Sequence, residues 1–120
     1  DYLSLHIPLN EKTKNMINGS KLNSMKKTAI IINTSRGGVI NEIDLDNALN
    51  DKIIFGAGLD VFEKEPVNKD NPLLKNKRVL LSPHSATFTN ECKSRMSIET
   101  TKNIIDFFEN KIDKSMIVKI

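Results

Sequence analysis

The sequence predicts an α/β fold in which a parallel sheet is flanked by helices and followed by a long C-terminal helix. Residues 29–32 read Ala-Ile-Ile-Ile without polar alternation, which is typical of a strand buried on both faces of a sheet. Strand-like and helical patterns then alternate, an order that implies right-handed crossovers between parallel strands. At 120 residues, the chain is large enough to bury a core but forms one domain at most.

The stretch before the isoleucine run is predicted to contain one strand and short helices. Residues 2–7 are rich in strand formers, and Pro8 ends the strand because proline cannot donate to a sheet ladder. A weak helical signal begins at Thr13. Ser20 follows a turn and is predicted to cap a short helix over residues 21–25.

One helix and two strands are predicted after the isoleucine run. Asn41, with Asp44 three residues later, resembles a capping box, which predicts a helix on one face of the sheet. The apolar residues of that helix are Leu45, Ala48 and Leu49. Residues 55–62 and 78–81 are predicted strands, and Pro83 ends the second of them.

The last predicted element is a long helix from Thr89 to about Asn110. Apolar residues recur there at multiples of four, which predicts a stripe along one side of the helix. The stripe consists of Phe88, Cys92, Met96, Ile104, Phe108 and Ile112. Such a stripe is typical of packing against a core or a partner, and not of a cofactor site.

The composition excludes several classes of function. The net charge is +3, but the lysines are interleaved with 15 acidic residues and aromatics make up only 5%, so no nucleic-acid partner is expected. No apolar run approaches about 20 residues, which predicts no membrane partner and a cytoplasmic location by default. The single Cys92 excludes a cysteine-based zinc cluster, and no metal is expected. The sequence begins with Asp1 and not with Met, and the first residues do not resemble a signal peptide, so the chain is expected to be part of a longer protein.

Charged and titratable residues follow three predicted strands at the point where each strand ends. Arg36 is one of only three arginines among 18 basic residues. It stands before two glycines, which favours a bidentate anion-binding role over that of an ordinary surface cation. Asp60 is expected to be buried, and Glu65 and His84 follow in later loops. Because the carboxyl ends of parallel strands share one edge, these side chains are predicted to meet in one cleft.

Nearby residues carry weaker signals. His6 also follows a strand, where a ligand contact and a bond to a backbone carbonyl are equally good interpretations. Glu63 is expected to be a solvated loop charge. Gly56 and Gly58 do not form a dinucleotide fingerprint, because Val61 occupies the third glycine position of that pattern.

The predicted cleft suits the reduction of a 2-keto acid. A carboxylate beside an imidazole favours the protonated ring, so Glu65 would orient His84 as a proton donor. Arg36 would hold an anionic substrate by charge-assisted hydrogen bonds, each worth about 1.5–3 kcal/mol where water is excluded. The carbonyl carbon would accept a hydride while His84 supplies the proton to oxygen, and oxidation would reverse both steps.

Four motifs follow one another along nearly the whole chain. They read SLHIPL from Ser4, NTSRGG from Asn33, GAGLDVF from Gly56 with Glu65-Pro66, and Ser82-Pro83-His84. Their order and spacing are similar to those of the D-isomer-specific 2-hydroxyacid dehydrogenases. The resemblance implies that residues 1–120 are the second half of a Rossmann-type NAD-binding domain. It also implies an NAD-dependent oxidoreductase for a small 2-keto or 2-hydroxy acid, which is expected to be a homodimer at full length.

The resemblance implies a role for each matching residue. In that family the arginine matching Arg36 binds the substrate carboxylate, and the residues matching Glu65 and His84 are the acid/base pair. The implied cofactor-binding residues are Pro8, Thr13, Thr34, Ser35, Arg36, Asp60, His84 and Ser85. Of these, Asp60 corresponds to the nicotinamide end, whereas the loop with Pro8 and Thr13 corresponds to the adenosine half. Residues 85–87 read Ser-Ala-Thr, where the family often has glycines.

The resemblance leaves alternatives open. Corepressors with the same fold suggest a non-catalytic, nucleotide-sensing interaction module. Glu65 argues against formate dehydrogenases, which have glutamine there. Residues 4–8 and 13–16 are somewhat similar to D-3-phosphoglycerate dehydrogenase, while glyoxylate, hydroxypyruvate and D-lactate enzymes stay open. In the family the glycine-rich phosphate turn and the substrate domain lie upstream of this segment. NADP is therefore not excluded, and residues 1–120 alone are expected neither to bind NAD tightly nor to turn over.

Overall fold

A computed structural model describes residues 1–118. Four strands form one sheet in the order β1-β2-β3-β4, and all neighbouring strands are parallel. The strands are β1 (Tyr2–Leu5), β2 (Ile30–Asn33), β3 (Gly56–Leu59) and β4 (Val79–Leu81). The helices are α1 (Gly19–Asn23), α2 (Glu42–Asn50) and α3 (Asn90–Phe108), with short 3-10 turns at Pro72–Leu74 and Lys114–Met116. The predicted α/β fold is confirmed.

One face of the sheet carries the core of the first compact unit, residues 1–86. Ile31 is fully buried in a single hydrophobic cluster with Leu22 of α1 and Leu45 of α2. Ile30 and Ile32 point to the opposite face and are only half-buried. The prediction that this strand is buried on both faces is therefore right for one face only, because α1 and α2 contribute to the same cluster.

Two predictions about the first elements need correction. Strand β1 ends at Leu5, two residues before the predicted end. Helix α1 begins at Gly19, because the Asn18 side chain accepts a hydrogen bond from the N–H of Lys21 at 3.2 Å. Ser20 therefore lies inside the helix and is not its cap. Asparagine and serine are both good caps, so the choice between neighbours is made by the backbone geometry.

The weak helical signal at Thr13 belongs to a turn. Residues 11–15 have turn geometry, and the Asn10 side-chain oxygen accepts the N–H groups of Lys12 and Thr13 at 2.9 and 3.1 Å. Asn15 has a φ of +51°. Asparagine favours such turns because its side chain bonds to nearby backbone and it tolerates the left-handed region. The predicted helix at this position is wrong.

Helix α2 begins as predicted, but its capping box is only half formed. The Asn41 side chain accepts the N–H of Asp44 at 3.0 Å. The Asp44 carboxylate does not return the bond to Asn41. It accepts the N–H of Gly19 at 2.7 Å and so links α1 to α2. The predicted apolar side of the helix is confirmed, since it is buried at Leu45, Ala48 and Leu49.

Strands β3 and β4 are shorter than predicted. Residues 55–62 were expected to form one strand, but β3 spans only Gly56–Leu59 and Phe55 is 58% exposed. The glycine at the start of β3 permits a close approach, since a Cβ atom on Gly56 would lie 3.1 Å from the carbonyl oxygen of Arg78. The residues between Leu59 and Phe62 thus leave the sheet and begin the loop that carries the candidate site.

The second compact unit begins at Thr87 and contains α3. The Thr89 hydroxyl oxygen accepts the N–H of Cys92 at 3.1 Å and caps the helix, which ends two residues before the predicted Asn110. No residue of α3 is buried, so its apolar stripe is not part of a core within the described chain. Among residues 1–118, no helix is both long enough and apolar enough to cross a membrane.

Candidate functional site

The carboxylate of Asp60 lies just past the end of β3 and organises the turn that follows β4. Asp60 is 3% exposed, as predicted. Its Oδ1 atom accepts hydrogen bonds from the Ser82 hydroxyl at 2.5 Å and the Ser85 N–H at 2.8 Å, and its Oδ2 atom accepts the Ala86 N–H at 2.9 Å. The backbone carbonyl of Asp60 also accepts the N–H of His84 at 2.9 Å. One buried residue therefore fixes the whole turn around His84.

Opposing effects act on the pKa of Asp60. Burial is the largest single effect and raises the pKa, because it disfavours the charged form. The hydrogen bonds from Ser82, Ser85 and Ala86, together with the nearby His84, outweigh burial, so that the pKa lies below its ordinary value of 3.8. The Asp60 side chain is therefore a bonded anion at neutral pH.

His84 is held in an uncommon backbone conformation. Its φ is +52°, in the left-handed region that few residues other than glycine adopt. Such conformations persist where the surrounding structure enforces them, and they cluster at functional sites. Here the bonds from Asp60 to the residues on both sides enforce the conformation. The turn thus aims the imidazole ring back toward the loop that follows β3.

The ring of His84 meets Glu65, as the sequence predicted. The Nδ1 atom of His84 lies 2.8 Å from Oε2 of Glu65. The other carboxylate oxygen, Oε1, accepts the N–H of Phe62 at 2.9 Å. This bond from Phe62 is the main cause that holds the pKa of Glu65 below its ordinary value of 4.5, and the bond to His84 is the second. Glu65 is therefore ionised at neutral pH and can only accept hydrogen bonds.

The ionised carboxylate fixes which ring nitrogen faces outward. Because Glu65 can only accept, Nδ1 of His84 is the atom that carries a proton toward it. The Nε2 atom is then free to exchange a proton with a bound molecule. The side chains of His84 and Glu65 are 52% and 38% exposed, so such a molecule can reach the pair.

The turn that carries Arg36 follows β2 and is stabilised by a buried asparagine. Asn33 is 2% exposed, and its Nδ2 atom donates to the carbonyl of Arg36 at 2.9 Å. Its Oδ1 atom accepts from the N–H and the hydroxyl of Ser35 at 3.1 and 2.8 Å. The exposed Arg36 guanidinium donates from Nη1 to the Ser35 carbonyl at 2.7 Å. In residues 1–118 no other hydrogen bond involves this guanidinium, so most of its N–H groups are available for an anion.

A close backbone contact joins the Arg36 turn to the loop that carries Glu65. A Cβ atom added to Gly37 would lie 1.8 Å from the carbonyl oxygen of Phe62 and 2.5 Å from the N atom of Glu63. Only glycine allows the two segments to lie this close. The positions of Arg36 and Glu65 are therefore coupled through the main chain.

A cleft of about 530 Å³ opens beside the side chains of Glu65 and His84. It is lined by Asp60, Phe62, Glu65, Pro66, Val67, Ser82, Pro83 and His84. Arg36 is not among these residues, and no hydrogen bond or ion pair joins it to Glu65 or His84 in the described part of the chain. Three of the four side chains predicted to meet in one cleft, Asp60, Glu65 and His84, therefore line it. The contribution of Arg36 to the same site stays a prediction.

The loop after β1 is also ordered by its own side chains. The Thr13 hydroxyl donates to the carbonyl of Pro8 at 2.7 Å and accepts the N–H of Asn10 at 2.8 Å. The Nε2 atom of His6 lies 2.8 Å from the Ser4 hydroxyl oxygen and not against a backbone carbonyl, so a ligand contact is the interpretation that stays a prediction. Since β1 and β4 are the two edges of the sheet, this loop and the His84 turn follow opposite edge strands.

Sequence reasoning missed several residues that position this site. Asn33 has a readable signal, because an asparagine that ends a buried apolar run must find hydrogen-bond partners inside the protein. Ser82 and Gly37 have no comparable signal. Their contacts join residues that are 22 and 25 positions apart in the chain, which only the folded sheet brings together.

Comparison with known proteins agrees with this geometry. A family model described as "D-isomer specific 2-hydroxyacid dehydrogenase, NAD binding domain" matches residues 1–86. A glyoxylate reductase of Korarchaeum cryptofilum (strain OPF8) is 46% identical over 117 residues, which cover 98% of this chain and 35% of the relative. The chain thus spans about a third of the length of the curated relatives that it matches.

Solved structures are also similar to this chain over nearly its whole length. An acyclic imino acid reductase in complex with NADPH and D-Arg superposes with a TM-score of 0.85 at 37% identity, over 93% of this chain and 36% of that one. A D-isomer specific 2-hydroxyacid dehydrogenase from Lactobacillus delbrueckii ssp. bulgaricus, in its NAD complexed form, superposes with a TM-score of 0.81 at 30% identity, over 98% and 40%. The chain therefore belongs to the D-isomer specific 2-hydroxyacid dehydrogenase family, and its residues 1–86 correspond to the NAD binding domain of that family.

Proposed function

We propose that the full-length protein containing this chain reduces a small 2-keto acid to the 2-hydroxy acid with a nicotinamide cofactor, and catalyses the reverse oxidation. The observation that carries the proposal is the 2.8 Å contact between Nδ1 of His84 and the ionised Glu65. A non-catalytic nucleotide-sensing module, the rival prediction, would have no need of this pair. The relatives include a glyoxylate reductase, which makes glyoxylate the first substrate to test.

The acid/base step uses the chain's own residues. In the reducing direction, Nε2 of His84 would donate its proton to the substrate carbonyl oxygen as the C–O double bond becomes a hydroxyl. Before that step, Glu65 stabilises the imidazolium by accepting the hydrogen bond from Nδ1. The ring is left neutral afterwards and regains a proton from water. In the oxidising direction, the neutral Nε2 would remove the proton from the hydroxyl.

The substrate carboxylate is proposed to bind Arg36. The guanidinium is exposed and uses one nitrogen for the Ser35 carbonyl, which leaves a planar set of donors for two carboxylate oxygens. Lysine could not reproduce this bidentate geometry. Arg36→Lys should raise the KM for the 2-keto acid by about tenfold while kcat changes less. An unchanged KM would remove Arg36 from this role.

The loops at the carboxyl edge of the sheet fit an extended dinucleotide. Three strand spacings of about 4.8 Å separate the edge strands, so a ligand that reaches both edge loops must span about 14 Å. Pro8 and Thr13 are proposed to lie at its adenosine half. The residues proposed at its nicotinamide half are Thr34, Ser35, Arg36, Asp60, His84 and Ser85. When bound, the nicotinamide supplies or accepts the hydride.

The hydrogen-bonding capacity of Asp60 is consistent with a nicotinamide beside it. Its carboxylate has about four acceptor positions, of which three are used by Ser82, Ser85 and Ala86. One position is left for an amide donor of the cofactor. In such domains the acidic residue that discriminates NAD from NADP lies about 20 residues after a glycine-rich phosphate turn. Residues 1–120 contain no such turn, so both cofactors belong in the test. The expected homodimer of the full-length protein also stays a prediction.

Absorbance of the reduced nicotinamide tests the proposal directly. The full-length protein is incubated with NADH or NADPH and with glyoxylate, hydroxypyruvate, pyruvate or 3-phosphohydroxypyruvate. The absorbance should fall with at least one acid, and it should fall at least about 100-fold more slowly with the His84→Gln variant. Cofactor binding without turnover of any acid would support the nucleotide-sensing alternative. Residues 1–120 alone should show neither turnover nor micromolar NAD affinity by calorimetric titration.

A further inference from the structure

A third carboxylate, Glu42 in the first turn of α2, touches both ends of the loop that carries Glu65. Its Oε1 atom accepts the backbone N–H of Glu63 at 2.6 Å. Its Oε2 atom accepts the Nδ2–H of Asn71 at 2.6 Å. These partners lie 21 and 29 residues further along the chain, on either side of Glu65.

The two partners of Glu42 connect it to the core and to the turn that positions Glu65. Asn71 accepts the N–H of Leu73 at 3.0 Å, and Leu73 is fully buried in the core. The far end of the loop is therefore anchored. Glu63 directly follows Phe62, whose N–H is the donor to Glu65. A bond that fixes Glu63 thus fixes the geometry of the turn that presents the Glu65 carboxylate.

The simplest alternative is that Glu42 only complements the positive end of the helix dipole. Acidic residues in a first helical turn often do so, for about 0.3–1 kcal/mol. That role needs no particular partner. Here, however, both carboxylate oxygens accept short, charge-assisted hydrogen bonds from the same distant loop, and Glu42 is half-buried. These contacts specify the loop rather than the helix.

We propose that Glu42 is a positioning residue for the acid/base pair: it fixes the loop over residues 62–71 so that Glu65 stays against Nδ1 of His84. The inference rests on the proposed function, because it assigns Glu42 to the proton-transfer step of that reaction. Within residues 1–118, no hydrogen bond or ion pair joins the Glu42 side chain to His84 or to the Glu65 carboxylate, so its effect on the reaction is indirect.

Glu42→Gln is the variant that tests the proposal, and Asp46→Asn is its matched control. The amide of Gln keeps only one acceptor oxygen, so one of the two donors that face Glu42, the Glu63 N–H or the Asn71 Nδ2–H, loses its acceptor. Asp46 lies one turn further along α2 and also anchors a distant segment, by accepting from Asn76 at 2.8 Å. In the described part of the chain, no hydrogen bond joins the Asp46 side chain to residues 62–71, so its loss reports the general effect of removing a carboxylate from α2.

In the full-length protein, Glu42→Gln should lower kcat for the 2-keto acid by about tenfold or more, because small misplacements of an acid/base group are costly. The dissociation constant for NADH should change by less than about twofold. Asp46→Asn should change neither of these quantities by more than about twofold.

A second substitution separates positioning from helix stability. Asn71→Asp in the Glu42→Gln background exchanges the donor and the acceptor between the two positions, while the new carboxylate can still accept the N–H of Leu73. This double variant should regain most of the lost kcat. Equal losses in Glu42→Gln and Asp46→Asn, or no recovery in the double variant, would overturn the proposal.

A further measurement distinguishes this failure from failure of the proposed function. If the unmodified protein reduces none of the acids, the proposed function is wrong, and the role of Glu42 in that reaction falls with it. The positioning itself is then read from the ¹⁵N NMR signals of the His84 ring, assigned with the His84→Gln variant. Those signals should shift in Glu42→Gln and not in Asp46→Asn. Unchanged signals would mean that Glu42 does not control the pair.

Discussion

The two carboxylates at the rim of the sheet are bonded in opposite ways. Asp60 is almost fully buried, and all its partners are groups of the turn over residues 82–86. Glu65 is exposed, and it uses one oxygen for its own loop and the other for the His84 ring. Both carboxylates have lowered pKa values, but for Asp60 the hydrogen bonds must first overcome burial.

This difference distinguishes a carboxylate that stabilises a backbone turn from one that acts on the charge of a neighbouring side chain. A carboxylate whose acceptor positions are taken by backbone N–H groups builds a rigid turn, and it is costly to leave those donors unpaired. A carboxylate that shares an exposed hydrogen bond with a titratable ring adjusts the charge of that ring. Substitutions at Asp60 should therefore act mainly on stability, and substitutions at Glu65 and His84 mainly on turnover.

The largest expected effect is on turnover, at His84. In the full-length protein, His84→Gln should lower kcat by about 10²–10⁴-fold, because the proton donor is lost. The dissociation constant for NADH should change by less than about threefold, and the melting temperature only slightly, since the side chain is half exposed. Steady-state kinetics and calorimetric titration provide these values. A loss of NADH affinity as large as the loss of kcat would mean that His84 acts through cofactor binding alone and is not the proton donor.

The next largest effect should come from Gly37, which joins the Arg36 turn to the Glu65 loop. Gly37→Ala would place a Cβ atom 1.8 Å from the carbonyl oxygen of Phe62, so one backbone must move. We expect a loss of about 3 kcal/mol in the free energy of unfolding from such overpacking. Gly58→Ala is the control, because its Cβ atom would make only an ordinary contact, 3.8 Å from Ile32. Equal urea midpoints for the two variants would contradict the close approach.

Asp60→Asn tests whether the buried carboxylate contributes more to stability than the exposed one. The amide nitrogen would face a backbone N–H or a hydroxyl that now has no acceptor, which costs about 1–3 kcal/mol of stability for a buried donor. Urea unfolding at pH 7 should show this loss, whereas Glu65→Gln should show a smaller one because Glu65 is partly exposed. If Glu65→Gln were the more destabilising variant, the division between the two carboxylates would be wrong.

The fold and the contact between Glu65 and His84 could be predicted from the sequence because both rest on local patterns. An unbroken isoleucine run, helical spacing at Leu45, Ala48 and Leu49, and residues placed after strand ends are all visible along the chain. Parallel strands bring their carboxyl ends to one edge, so Glu65 and His84 could be paired before the structure was known. The family resemblance supplied their roles.

The positioning contacts could not be predicted in the same way. Glu42 and Ser82 act on segments more than 20 residues away, and their partners are mostly backbone groups that every residue has. Element ends were also misjudged, since Asn18 and Ser20 are both good caps and only the folded backbone chooses between them. The sheet face that carries Ile30 and Ile32 is less buried than predicted. The isoleucine run could not show this, because a sequence pattern does not tell which face of a sheet each helix covers.

The smallest effect is the pH dependence of stability, and it tests both carboxylates together. The pKa values of Asp60 and Glu65 are lower in the folded chain than their ordinary values of 3.8 and 4.5, so the unfolded state binds more protons as the pH falls. The stability contributed by these two groups is therefore fully present above about pH 5 and is lost as the pH falls through the lowered folded values. Solvent screening reduces the share of Glu65, which is 38% exposed. Between pH 5 and pH 3, the urea midpoints of Asp60→Asn and Glu65→Gln should each fall less steeply than that of the unmodified protein. A variant whose midpoint falls as steeply as the original would show that its carboxylate gains nothing from the bonds described here.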